Sequence, residues 1–263
     1  METSKLADSK TTPVNGVSKE EKLPSPWLPV YIYTVIIFGV ITVLIAFTNF
    51  PIDWWGLLLF AGLASIAQLG DVELFTSSRS RVSVASIIGI ASILLFGFMA
   101  GALVLMFSGV MTAITTTLKS RQRVTGRASL FIRTAFNTGM FVIAAAVAGW
   151  TYVMSGGTIG QLRLLTNIMP LVAAVTVDVL LNLILLIIVI SLQTRRSPLH
   201  IWEHDFRWAA PIAIAGGVIG GGVLALAYDM FQFVGIAVFF LPVLATSYSF
   251  RTYVNNMKGY VDQ

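Results

Sequence analysis

The sequence predicts an all-α, polytopic integral membrane bundle of about eight transmembrane helices with both termini cytoplasmic. Three observations carry this. Of 263 residues only 11% are charged and 56% are hydrophobic, against roughly 25% charged in soluble domains. The mean hydropathy is +0.84. The apolar residues gather into runs on the scale of the ~30 Å hydrocarbon core of a bilayer, with basic residues between alternate runs. That placement accounts for the net charge of +5, so nucleic acid is not an expected partner. Cysteine is absent, which excludes disulfides, thiolate metal sites and thiol catalysis.

Taken in order, residues 1–26 are rich in Ser, Thr, Lys and Glu and hold three prolines. They cannot bury a core and are expected to form a disordered cytoplasmic tail rather than a signal peptide. The bundle is expected over 27–249. A first span covers 27–49 and ends at Asn49, Phe50 and Pro51. After a turn at Asp53 with the interfacial aromatics Trp54 and Trp55, a second covers 54–70. Val82 to Leu118 is 37 residues without a charge, about 55 Å as one helix. It is therefore read as two passes reversing near Gly97–Gly101, the first of them short enough to be re-entrant. A fifth span covers 128–153, a sixth 168–192, a seventh, glycine-rich, 208–228, and an eighth 233–249.

Charge tests the count. With eight spans and the N-terminus inside, every Lys and Arg except Arg163 falls on the cytoplasmic side, Arg133 snorkelling towards it. Removing the 82–96 pass would put the later basic loops outside. The expected location is a bacterial plasma membrane.

The sixth span, Ile168 to Leu192, holds Asp178 and, one turn on, Asn182. A carboxylate at bilayer mid-depth is costly and faces protein or a water-filled cavity. Asn137 lies about as deep in the fifth span as Asn182 does in the sixth, and Arg133 is one turn nearer the cytoplasm. Together the four form a candidate ligand-binding pocket. For the asparagines, interhelical hydrogen bonding worth about 0.6 kcal/mol per bond is the simpler reading. For Asp178 it is not, because an ionised carboxylate is poor glue.

His200 and His204 match H-x-x-E-H, an inverted zinc-protease pattern. On a helix they would share a face, but the nearest downstream candidate for a third ligand, Asp229, lies on the opposite side of the membrane. A solvated juxtamembrane helix is the simpler reading, so no metal or other cofactor is expected. Gly97 with Gly101, Gly216 with Gly220 and Gly217 with Gly221 are small-xxx-small pairs suited to close helix packing, or to lining a cavity. No phosphate-binding loop occurs. In the tail 250–263, Phe250, Tyr253, Met257 and Tyr260 recur at spacings of three and four. They predict an amphipathic helix that either lies on the lipid or couples the bundle to a cytoplasmic partner.

Several stretches carry a family resemblance: RVSVASIIGIASILLFGFMAGALVLMFSGVM (81–111), FNTGMFVIAAAVAGWTY (136–152), DVLLNLILLIIVISL (178–192), WEHDFRWAAP (202–211) and LPVLATSYSFRTYV (241–254). Over roughly residues 30–258 the pattern resembles the MASE-type multi-pass sensor domains that precede HD-GYP phosphodiesterases and diguanylate cyclases. The resemblance implies sensing in or near the membrane, with the last span feeding a cytoplasmic output. No HD pair with downstream metal ligands and no GGDEF-like stretch follows, and His204-Asp205 is a juxtamembrane dipeptide. Nucleotide turnover is therefore not expected, and output is expected to pass through a separate signalling protein.

The expected function is a non-enzymatic membrane sensory or interaction module that binds a small ligand, with homo-oligomerisation left open. The alternative is a small-solute transporter or the membrane substrate-binding subunit of one, suggested by Asp178, the glycine-rich seventh span and the short third pass. Asp178 has no second carboxylate within a span, which leaves no aspartyl dyad for an intramembrane enzyme.

Overall fold

The computed structural model describes residues 25–48, 53–69, 84–120, 127–160 and 164–240, and all regular structure among them is helical. In order these are α1 (Trp27–Thr48), α2 (Trp54–Leu69), α3 (Val84–Phe96), α4 (Ala100–Ser120), α5 (Arg127–Met154), α6 (Leu164–Thr194) and the short α7 (Pro198–Ile201). A π-helical turn, Trp202–Phe206, leads into α8 (Ala209–Phe231), and α9 occupies 233–240.

Four segments are long and apolar enough to cross a membrane: Trp27–Thr48, Phe131–Met154, Thr166–Thr194 and Ala209–Phe231. Shorter apolar helices occupy Trp54–Ala67, Val84–Phe96 and Ala100–Ile114. The outer surface is apolar as well. Trp27, Ile37, Phe38 and Leu44 of α1 are each more than half exposed, a face suited to lipid rather than water.

Local chemistry sets the helix ends. Asp53 caps α2, its Oδ1 accepting the Trp55 N–H at 3.0 Å. The uncharged run from Val82 breaks at Gly97, whose φ of +137° is open to glycine and strained for other residues. Beyond the break α4 runs back along α3, and a Cβ on Gly101 would lie 2.8 Å from the Gly89 carbonyl oxygen. Between α5 and α6, Asn167 Oδ1 accepts both the N–H and the hydroxyl of Thr158, at 3.0 and 3.1 Å. After α6, Arg195 takes φ +53°, and the Ser191 hydroxyl donates to the Arg196 carbonyl at 2.7 Å.

Two ends of the bundle follow from these contacts. At one, the Ser25 N–H donates to the Leu192 carbonyl at 2.9 Å, which places the start of α1 beside the end of α6. At the other, the Gly160 N–H donates to the Leu94 carbonyl at 2.9 Å. There Phe60 of α2, Phe96 of α3 and Tyr228 of α8 stand edge to face, with ring centroids 5.2, 5.2 and 5.6 Å apart. We call these the basic end and the aromatic end, since Arg195, Arg196 and Arg207 belong to the first.

The core is centred on α3. Ala85 and every residue from Ile88 to Phe96 are buried, enclosed by α2, α4 and α8. Thirteen residues rise only about 20 Å, so α3 is a short helix wrapped by protein. α1 joins the bundle mainly along α5, where a Cβ on Gly39 would lie 2.7 Å from the Gly139 Cα. Such backbone proximity is available only to the smallest residue.

Candidate functional site

A cavity of about 240 Å³ lies among α3, α5, α6 and α8. Most of its wall is apolar: Ile87 and Ile90 from α3, Met140 and Phe141 from α5, Val175, Val179, Leu183 and Leu186 from α6. The polar exceptions are Ser86, Asn137, Asp178 and Asn182. Three of these are among the sequence-predicted site residues. They converge because Asp178 and Asn182 sit one turn apart on α6, and α5 presents Asn137 across the gap.

Asp178 stands apart from the other buried polar groups. Ser65, Ser92, Ser108, Asn167 and Asp178 are the buried polar side chains among the described residues. The hydroxyls of Ser65 and Ser92 donate to carbonyls one turn back on their own helices, both at 2.7 Å. Ser108 on α4 reaches the Ala64 carbonyl on α2 at 3.1 Å, and Asn167 holds Thr158. Asp178 is 6% exposed, yet among the described residues its carboxylate has neither a hydrogen bond nor an ion pair. A serine can discharge its donor into the helix it belongs to, whereas an ionised carboxylate can only accept, and helical N–H groups are already engaged.

The other candidates divide. Asn137 and Asn182 share the cavity but do not hydrogen-bond to one another, so the expected amide pair is absent. Arg133 is exposed one turn before Asn137. It does not line the cavity and makes no ion pair with Asp178. The imidazoles of His200 and His204 lie close together and tilted by 40°, centroids 4.0 Å apart, and His204 Nδ1 stands 3.1 Å from the His200 carbonyl oxygen. No group of three or more metal-ligating side chains occurs among the described residues. The coupling candidates Phe250, Tyr253 and Met257 lie outside the described residues, as do 1–24 of the N-terminal tail.

Of the glycine pairs, Gly217 with Gly221 serves packing, whereas in Gly216 with Gly220 a Cβ on Gly216 would meet nothing within 4 Å. A Cβ on Gly217 would meet Val175 of α6 at 2.7 Å, and one on Gly221 would meet Ile90 of α3 at 2.7 Å. α8 is thereby wedged between α3 and α6, with Gly217 also forming cavity wall. Gly97 contributes a chain reversal instead of a helix contact.

Sequence reasoning missed Phe206, Ala209 and Ala213, which complete the wall. Phe206 ends the π-turn, is 2% exposed, and packs on Ile187 and Ile201. Its signal was present: 206, 209, 213 and 217 recur at three and four, one face of a helix entering the bundle.

Comparison of the chain with protein-family models, with curated proteins and with solved structures gives no match.

Proposed function

We propose that this chain is an eight-pass protein of a bacterial cytoplasmic membrane, both termini inside, that binds a small ligand in the Asp178 cavity without chemically transforming it. Occupancy is passed to a separate cytoplasmic signalling partner through the basic end of the bundle and residues 250–263. The observation that carries the binding role is the unpartnered Asp178 carboxylate, buried beside two amides from two helices. A buried polar group is normally paired, and a site kept ready for a ligand is the economical reason for leaving one unpaired. The basic residues at one end of the bundle support the orientation, and the MASE-type sequence resemblance supports the sensory role.

Native mass spectrometry of protein purified gently from its own host tests this. A small molecule retained by the protein and lost in Asp178→Asn is expected. A bare protein in both forms would sink the binding role.

A transport role is the second reading. It is favoured by α3, a helix shorter than a bilayer and enclosed by its neighbours, as in carriers that bind solute between broken helices. Uptake into vesicles that ceases in Asp178→Asn would move the assignment there.

A further inference from the structure

We propose that the compound held in the Asp178 cavity is a small amphiphilic organic cation, an ammonium group carried on a compact hydrocarbon body. The proposal rests on reading the cavity as a ligand site, and it names the ligand's chemical class.

Charge comes first. Among the described residues Asp178 is the only formally charged side chain on the wall; no described Lys, Arg or His lines it, and Arg133 stands off it. An anion entering would meet a buried negative charge with no compensation, whereas a cation supplies the partner the carboxylate lacks.

Donor and acceptor chemistry comes second. A primary ammonium has three N–H donors and no acceptor, as in the lysine head. The wall offers it the Asp178 carboxylate and the amide oxygens of Asn137 and Asn182. Neither amide is engaged elsewhere among the described residues, so both are free to turn an oxygen inward.

The rest of the wall decides between an organic and a metal cation. Met140, Phe141, Val179, Leu183 and Phe206 surround the polar group. A dehydrated metal ion would need about six oxygens at short range; the wall's polar side chains, Ser86, Asn137, Asp178 and Asn182, fall short of that number and sit on three different helices. A hydrocarbon body instead replaces water along the apolar side chains, and the Phe141 and Phe206 rings suit a cation's flank. Size agrees: at about 30 Å³ per water-sized group, the cavity of about 240 Å³ takes a ligand of roughly eight heavy atoms, such as benzylammonium.

The test uses the full chain in lipid nanodiscs and three probes of one shape: benzylammonium, benzyl alcohol and benzoate, followed by calorimetry. Benzylammonium is expected to bind about tenfold or more tightly than the alcohol, and benzoate not to bind. Passive partition into lipid would rank the neutral alcohol first. In Asp178→Asn the cation's preference is expected to vanish while the alcohol still binds. Ala213→Phe, which fills the cavity, is expected to abolish both. Equal binding of cation and alcohol, a cation preference that survives Asp178→Asn, or no binding by any probe overturns the proposal. If the probes fail but host-purified protein retains a molecule that Asp178→Asn loses, only the cation assignment falls. If nothing is retained either, the ligand-site reading falls with it.

Discussion

Gly149 of α5 lies directly against the main-chain carbonyl of Phe98, in the turn joining α3 to α4, with no room for a Cβ between them. The contact is backbone on backbone, so neither side can yield by a rotamer change. Gly149→Ala is expected to cost about 1–3 kcal/mol, read as a lower melting temperature in detergent. Gly62→Ala is the control, since a Cβ there meets nothing within 4 Å; its melting temperature is expected to stay at the parent value.

Asp178→Asn tests whether the carboxylate is retained at the expense of stability. It keeps the shape and removes a buried, uncompensated charge. The ligand-free variant is expected to be more stable than the parent by about 1 kcal/mol or more. A residue serving as structural glue would give the opposite sign. Denaturation in detergent, after exhaustive washing to strip bound molecules, distinguishes the two.

Asn167→Ala removes the acceptor of two bonds from Thr158 at a position only 4% exposed. The expected loss is about 1–3 kcal/mol, because the Thr158 N–H loses its carboxamide partner. Hydrogen exchange is expected to rise at 156–160 and to be unchanged in α8; a uniform rise would contradict a local clasp.

Because the natural chain has no cysteine, the proposed orientation can be read with single introduced thiols. Ser155→Cys and Asp229→Cys are expected to react with an impermeant maleimide in intact cells. Arg196→Cys and Glu203→Cys are expected to react only after permeabilisation. Labelling of all four from one side would refute an odd number of crossings between each pair.

Helix positions were largely legible in the sequence. The first span was expected over 27–49, where α1 is Trp27–Thr48; the second was expected over 54–70, where α2 is Trp54–Leu69, an apolar helix shorter than the four long enough to cross a membrane. The reversal near Gly97–Gly101 falls at 97–99. Long apolar runs and the turn residues between them survive any tertiary arrangement, which is why these readings held. α6 starts earlier than expected, at Leu164 rather than 168, because Asn167 faces inward to hold Thr158 and so belongs to the helix. The eighth span was expected over 233–249; helix is described over 233–240, and the remainder lies outside the described residues.

The site was half legible. Asp178, Asn182 and Asn137 stood out because polar residues in apolar runs are conspicuous, and counting depth along two helices was enough to bring them together. Their rotamers were not legible: Asn137 and Asn182 do not hydrogen-bond to one another, and Arg133 does not line the cavity. The π-turn was invisible. Its defining bond, the Arg207 N–H to the Trp202 carbonyl at 2.8 Å, joins main-chain atoms and leaves no side-chain signature. The Trp202–Phe206 segment reads as a solvated juxtamembrane helix, and only the spacing of Phe206 to Ala209, Ala213 and Gly217 marks its last residue as inward-facing.

The aromatic trio has a mechanical consequence. Phe60, Phe96 and Tyr228 fasten α2, α3 and α8 together at one end of the bundle, whereas the cavity interrupts packing near the other. Tyr228 and Ala209, where α8 begins, are 19 residues apart, about 29 Å of lever arm. A tilt of α8 by about 5° around the trio would therefore carry Ala209 sideways by about 2.5 Å, while the aromatic end stays nearly still.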